Sequence, residues 1–239
     1  MKKNVIRFMA TLVFVSSVAV SCGNKKTSTT ESKQTTVAEP SNSGDKFIPV
    51  TDSVQTTVTE RNVSPLNIGK KFTPTGYMGC WKSFDVNPAF PDNPHSGSSC
   101  YRIAAFQRKC SEGWTGLYWT NRNGEKGANW GEYPGTDLSS RGYTKITFWA
   151  KGNSGGEKVE FGSGGINNTF QGDSFHYKDS YGKTYIGGRT VILTKKWQQY
   201  TIDLAGKDLS SVIGGFFWVA SKDANPTGLI FYLDDILFE

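Results

Sequence analysis

The sequence predicts an all-β fold, a β-sandwich, for residues 66–239. Apolar residues in this region occur in short runs that alternate with polar residues at a period of two, which is typical of half-buried strands. Segments rich in Gly, Asn, Asp and Ser separate the runs, and no helical periodicity is sustained. About eight or nine strands at this spacing favour a sandwich or jelly roll.

The predicted strands follow one another along the whole region. They are residues 100–106, 114–120, 145–150, 158–162, 189–193, 197–204, 215–220 and 229–238. Alternation also predicts which side chains share a face. In the third strand, Ile146, Phe148 and Ala150 form one apolar set and Trp149 points the opposite way. We expect such sets to build the core between two sheets.

The N-terminus has the layout of an export signal. Three of the first seven residues are basic, a mostly apolar run follows from Phe8 to Val20, and Ser21 precedes Cys22. The run is shorter than the roughly 20 apolar residues that a membrane-spanning helix needs. Residues 18–22 resemble a bacterial lipobox, which implies a signal peptide over 1–21 and a lipid on Cys22. An ordinary cleaved signal peptide is the alternative.

Residues 22–65 are rich in Ser, Thr, Lys, Gln and Glu and contain one aromatic residue, Phe47. A stretch of this composition buries too little apolar surface to offset its ordering entropy, which predicts a flexible, disordered linker. Together with Cys22, the linker predicts a lipid-anchored protein of the bacterial cell envelope, in the outer membrane or at the cell surface.

The basic excess of the sequence largely disappears after export. Three of the 27 Lys and Arg residues lie in the signal, which leaves 24 against 21 acidic residues and a net charge of +3. The remaining basic residues are scattered or paired, whereas nucleic-acid binding needs them clustered on one face. The charge pattern therefore excludes nucleic acid as the expected partner.

Three cysteines remain once Cys22 carries lipid. Export permits a disulfide, but an odd number leaves at least one thiol unpaired. A bridge between Cys80 and Cys110 is our pairing hypothesis, with Cys100 as a buried thiol within a strand. The other pairings of these three residues stay open at this stage.

A series of motifs runs through the predicted domain, at residues 74–79, 95–97, 100–103, 113–119, 129–131, 147–152, 155–157, 197–204, 214–216 and 231–236. Their order resembles carbohydrate-binding modules of the galactose-binding-like jelly-roll type. The resemblance covers nearly the whole domain. One departure is Cys80, at a position where such sequences often carry Asp after Met-Gly.

The resemblance implies a sandwich whose exposed face or loop rim holds a glycan. It also implies one structural calcium ion near the strand ends. Asp234 and Asp235 are the expected ligands, because calcium prefers hard oxygen donors such as carboxylates.

Sugar binding is also predicted from side-chain chemistry, since the apolar faces of pyranose rings pack on aromatic rings while hydroxyls need polar partners. Aromatic residues interleave with polar ones between residues 114 and 133, although in any single case a tryptophan can instead fill the core. The Gly-rich surroundings of residues 127–132 and 172–182 predict loops. The predicted glycan-binding residues are Trp130, Tyr133, Trp119, Trp114, Arg102, Tyr177, His176 and Asn129.

Two other functions compete with non-catalytic binding of a polysaccharide or oligosaccharide. The same fold can serve a structural or adhesion lipoprotein that binds a protein. A glycan-active enzyme, hydrolase or lyase, is the third hypothesis, and a glycosidase needs two carboxylates across the scissile bond. Acidic candidates exist, but none forms a recognised catalytic pair; they are Glu157, Glu160, Asp203, Asp234 and Asp235.

Overall fold

The computed structural model of the protein describes residues 63–106, 108–121, 127–167, 175–182 and 184–239. These residues form two antiparallel sheets packed as a β-sandwich, as the period-two pattern predicts. The predicted signal peptide, Cys22 and the linker up to residue 62 lie outside the described residues. Within the described ranges, no helix has the length and apolar character needed to cross a membrane.

The described part of the chain contains eleven strands. They are β1 (Leu66–Asn67), β2 (Phe72–Gly79), β3 (Phe84–Phe90), β4 (Cys100–Ala105), β5 (Trp114–Asn121), β6 (Lys145–Gly152), β7 (Lys158–Ser163), β8 (Ile186–Ile192), β9 (Gln198–Asp203), β10 (Gly214–Ser221) and β11 (Leu229–Phe238). Sheet A has the order β3-β4-β11-β6-β9, with β1 also paired to β11. Sheet B has the order β2-β5-β10-β7-β8.

All eight predicted strands are present, from β4 to β11, with ends that differ from the prediction by at most a few residues. The three N-terminal strands were missed. Pro74 lies in β2 beside a shift of register between Pro74 and Gly76, and β3 contains Pro88 within a similar shift. Both are edge strands, where a proline is tolerated because its position need not donate to a neighbour. In β2 and β3, proline and glycine interrupt the alternation of apolar and polar residues from which strands are predicted.

The core lies between the sheets and is rich in aromatic rings. Ile146, Phe148 and Ala150 are buried while Trp149 faces away, as alternation predicts. Trp218 lies at the centre, with its ring in edge contact with Phe84 of the opposite sheet at 5.1 Å. Large rings bury much apolar area each, so this packing makes the sandwich a rigid support for its surface.

The cysteine hypothesis is confirmed in the fold. Cys80 and Cys110 form a disulfide across 30 residues, and Cys100 is a buried free thiol at the start of β4. The bridge joins the end of β2 to the loop before β5. It therefore links two loops on the same side of the sandwich.

Candidate functional site

A groove of about 710 Å³ opens at the side of the sandwich formed by the edge strands β2 and β3. We call it the aromatic groove, and its lining consists of Thr75, Tyr77, Trp81, Lys82, Phe84, Arg108, Ala128 and Trp130. It combines four aromatic rings, from two separate segments of the chain, with two basic side chains.

Two of these rings are unusually exposed for their size. Tyr77 is 48% exposed and Trp81 is 54% exposed. Tyr77 is held from below because its ring stacks on Phe84 at 5.3 Å. Trp81 opens a short 3-10 turn directly after Gly79 and Cys80. Gly79 has a φ of 56°, and a Cβ there would lie 2.5 Å from the Trp114 carbonyl oxygen, so the turn requires glycine.

Trp130 approaches the groove from a loop on the outer face of sheet B. Its ring lies over Gly76, where an added Cβ would come within 3.2 Å of the indole, and contacts Tyr118 edge-on at 5.8 Å. The main-chain N–H of Trp130 donates to the Glu132 carboxylate at 2.6 Å. Because Gly76 in β2 has no side chain, the Trp130 ring can occupy the space above it.

The basic residues of the groove are fastened to neighbouring groups. Arg108 donates to both carboxylate oxygens of Asp85 at 3.1 Å and to the Lys82 carbonyl oxygen at 2.8 Å. The Lys82 ammonium lies 4.8 Å from the centre of the Trp81 ring. The groove therefore presents N–H donors beside its rings, while one of its two positive charges is paired.

Behind Trp130, loops cover one end of the outer face of sheet B. Asp179 anchors them, since its carboxylate accepts main-chain N–H bonds from Ile166, Ile213 and Gly214. Burial nevertheless raises the pKa of Asp179 to about 6, because desolvation outweighs these bonds. Burial likewise raises the pKa of Tyr118, which donates to the Gly164 carbonyl oxygen at 2.9 Å.

Further along this face, Glu160 and Tyr185 form a polar pair. Burial raises the pKa of Glu160, and a hydrogen bond from Tyr185 partly opposes that shift. The Tyr185 ring rests edge-on against Phe217 at 5.2 Å. This pair lies outside the lining of the aromatic groove.

Among the predicted glycan-binding residues, Trp130 lines the groove, but Trp119 and Asn129 were wrongly predicted as contacts. Trp119 is 0% exposed, because it points from β5 into the core against Tyr101 and Phe216. Asn129 is 2% exposed, and its side chain bonds to Asn121 and to the main chain of residues 131 and 133. Asn129 thus shapes the loop that carries Trp130.

The other predicted residues are dispersed. Tyr133, His176 and Tyr177 are exposed on two loops at one end of sheet B, joined by a bond from the Tyr177 N–H to the Gly131 carbonyl oxygen. Trp114 is half-buried with its ring against Gly79.

Arg102 lies apart from all of these residues. It is on sheet A, with its guanidinium 5.7 Å from the centre of the Phe90 ring. The structure does not bring it to the aromatic groove.

Sequence reasoning missed Tyr77 and Trp81, the most exposed rings of the groove. Both lie in the segment Tyr77-Met78-Gly79-Cys80-Trp81, where glycine and a cysteine break the strand pattern between two aromatics. An aromatic residue two positions after a strand-ending glycine is a usable signal for an exposed ring, since the turn carries it off the sheet.

The predicted calcium ligands already have hydrogen-bond donors. Asp234 accepts main-chain N–H bonds from His95, Ser96 and Asp235. Asp235 lies 2.7 Å from the His95 Nδ1 and accepts the Ser96 hydroxyl at 2.7 Å. All four carboxylate oxygens are thus engaged in hydrogen bonds, which a calcium ion bound by this pair would have to share or displace.

The described residues also contain no group of three or more His, Cys, Asp or Glu side chains placed to hold a metal. Calcium binding stays a prediction, which a calcium titration followed by calorimetry tests.

The fold defines the chain as a β-sandwich of the jelly-roll type, with an aromatic groove at one open edge. No protein-family model and no curated protein matches the sequence. Similar solved structures include a family 30 carbohydrate-binding module with 20% identity and a TM-score of 0.46, over 74% of this chain and 88% of that one.

Two further solved structures are similar to this chain. One is the family 30 module of the cellulosomal cellulase Cel9D-Cel44B of Clostridium thermocellum, with 18% identity, a TM-score of 0.45, and coverage of 74% and 97%. The other is TmCBM61 in complex with beta-1,4-galactotriose, with 17% identity, a TM-score of 0.36, and coverage of 72% and 94%.

Proposed function

We propose that this protein binds glycans through the aromatic groove. The observation that supports this most is the exposure of Tyr77 and Trp81 at an open groove that Trp130 also lines. Large rings are normally buried, so two exposed rings together on a rigid sandwich indicate a binding surface.

The chemistry of the groove suits a sugar chain. Tyrosine and tryptophan offer flat apolar faces for the C–H faces of pyranose rings, together with a polar tip. Lys82 and Arg108 add N–H donors for hydroxyl oxygens. No carboxylate lines the groove among the described residues, so its lining supplies contacts rather than an acid–base pair. The proposed activity is therefore binding without bond cleavage.

The experiment is a screen of the full-length chain against plant, algal, bacterial and host glycans, followed by calorimetry on any glycan retained. We expect retention by the wild type and a strong loss in Trp81→Ala. Tyr185→Ala, which removes an exposed ring elsewhere on sheet B, is the matched control. Retention of no glycan would remove the proposal, and release of reducing sugar would favour a glycan-active enzyme instead.

We also propose that the lipid on Cys22 holds this binding domain at the cell envelope, with the polar linker as a spacer. Labelled palmitate tests this in a bacterial host. We expect label in the wild type and none in Cys22→Ser, which should leave the membrane fraction. Equal labelling of both forms, or a soluble wild type, would contradict the anchor and leave the glycan proposal untouched.

A further inference from the structure

The disulfide connects two segments of the chain that form one wall of the aromatic groove. Cys80 immediately precedes the 3-10 turn of Trp81–Ser83, and Cys110 follows Arg108 by two residues. The bond thus joins the segment that carries Trp81 and Lys82 to the segment that carries Arg108. Both segments line the groove, although 30 residues separate the two cysteines.

One end of this link is tied to the sandwich. The Cys80 N–H donates to the Trp114 carbonyl oxygen at 3.0 Å, and the Thr115 hydroxyl donates to the Cys80 carbonyl oxygen at 3.3 Å. Both partners belong to β5, the neighbour of β2 in sheet B. The disulfide therefore links the loop before β5 to a residue whose position β5 itself fixes.

The remaining contacts between the two segments are weak by comparison. Arg108 reaches across to the Lys82 carbonyl oxygen and to Asp85, but the side chains of this ion pair are 57% and 60% exposed. Exposed ion pairs contribute little because water screens them and long side chains lose entropy. Without the disulfide, the bonds of Cys80 to β5 remain, but the turn that follows, with Trp81 and Lys82, is joined to the Arg108 segment by contacts that solvent competes for.

The other wall of the groove, which carries Trp130, is held by different contacts. Trp130 packs on Tyr118, and its loop is fixed by Asn129 and by the Glu132 carboxylate. None of these groups is bonded to the cysteine pair. Loss of the disulfide should thus loosen one wall and spare the other.

We infer that the Cys80–Cys110 disulfide positions Trp81 and Lys82 for ligand, so that the affinity of the groove depends on the oxidised form. The inference rests on the proposed function. A dithiol reductant would convert the bridge to two thiols and itself become a disulfide, which balances two electrons and two protons. In the reduced protein, the segment that carries Trp81 and Lys82 is mobile. It must be ordered each time a ligand binds, which lowers the affinity of the groove.

The first experiment compares full-length wild type with Cys80→Ser/Cys110→Ser, with Cys100→Ala as the control for loss of a thiol elsewhere. At a temperature where all forms are folded, ordering one or two side chains anew predicts a Kd raised about three- to tenfold in the double variant. The control should bind as wild type. An unchanged Kd in the double variant overturns the inference.

A double-mutant cycle separates positioning from general destabilisation. If the disulfide acts through Trp81, its removal in a Trp81→Ala background should weaken binding by much less than it does in the wild type. An equal loss in both backgrounds overturns the inference, because the disulfide would then act elsewhere.

Hydrogen exchange of the same variants gives a readout without any glycan. We expect faster amide exchange at residues 81–83 and 108–112 in the double variant, with no change at 127–133. Unchanged exchange at 81–83 overturns the positioning role. If wild type retains no glycan, the proposed function fails, and exchange still decides whether the disulfide holds this wall.

Asp85→Ala covers the case in which the double variant does not fold. It keeps the disulfide and the groove-lining Arg108 but removes the ion-pair partner of Arg108, so we expect a Kd raised about twofold, in line with the small worth of exposed ion pairs. Exchange should rise at residues 81–85. No change in either measurement contradicts the role of the Arg108 segment in holding the wall.

Discussion

The two open edges of the sandwich both carry a cavity, but they present different surfaces. At the edge of β2 and β3, Tyr77 and Trp81 stand exposed beside basic side chains. At the edge of β8 and β9, a cavity of about 490 Å³ has Phe148 and Phe161 among its lining, and both rings are buried. An edge of the sandwich can stack against a ligand where its aromatic rings are exposed rather than buried in the core.

For Trp81, the difference arises from how the chain leaves the strand, whereas Tyr77 lies within β2 and stacks on Phe84. After β2, the left-handed turn at Gly79 and the disulfide at Cys80 carry Trp81 off the sheet. At the other edge, Tyr200 lies within β9 and stacks on Phe148 at 5.5 Å. A ring within a strand must face one layer or the other, whereas a ring after a turn can stand free of both.

The largest expected effect tests the covalent link, which only the β2–β3 edge has among the described residues. Cys80→Ser/Cys110→Ser should lower the free energy of unfolding by about 3.6 kcal/mol, because the bond closes a loop of 30 residues in the unfolded chain. Urea unfolding of full-length protein measures this. A loss no greater than that of Cys100→Ala would show that the bridge does not distinguish this edge.

The second effect concerns the most exposed indole. Trp81→Ala should weaken binding of a retained glycan by about 2 kcal/mol, or roughly thirtyfold in Kd, as expected for an aromatic anchor. Ile192→Ala, at an apolar residue 61% exposed on β8, should leave Kd unchanged. Calorimetry decides, and the reverse pattern would move the binding site to the other edge.

A matched pair of tyrosines sharpens the comparison further. Tyr77 and Tyr185 are 48% and 46% exposed, and each ring rests on a buried phenylalanine at 5.3 and 5.2 Å. Because Tyr185 also hydrogen-bonds Glu160, its change to alanine should reduce stability at least as much as that of Tyr77. Only Tyr77→Ala should weaken glycan binding, by about 1 kcal/mol. Equal losses of affinity would mean that the ligand crosses sheet B.

The smallest effect separates stability from binding through pH. Asp179 has a folded pKa of about 6 against 3.8 for the free group, so between these values the folded form holds a proton that the unfolded form has lost. Stability should therefore rise by about 1 kcal/mol as pH falls from 7 to 5, and Asp179→Asn should remove this rise.

Glycan affinity should stay constant over the same range, since no described carboxylate or histidine lines the groove. Thermal unfolding and calorimetry at both pH values check the two parts. A pH-dependent affinity would indicate that the loops anchored by Asp179 contact the ligand.

Part of this site could be predicted from the sequence. Trp130 was correctly expected on a loop, because glycines on both sides indicate one, and the structure shows it partly buried there. Trp119 was misplaced because Trp114–Trp119 has aromatic residues on both faces of β5, so alternation could not tell which one faces the core. Tyr77 and Trp81 were missed because proline and glycine obscured β2.

The sequence by itself determined the β-sandwich and most of its strands, since burial of one face imposes a period of two on each strand. The sequence also led to the hypothesis of a Cys80–Cys110 disulfide and to the prediction that Trp130 lies on a loop at the binding site. The tertiary structure alone decided which edge is a candidate site. The rings of the aromatic groove come from segments about 50 residues apart, and only the packing of β2 against β5 and β3 brings them together.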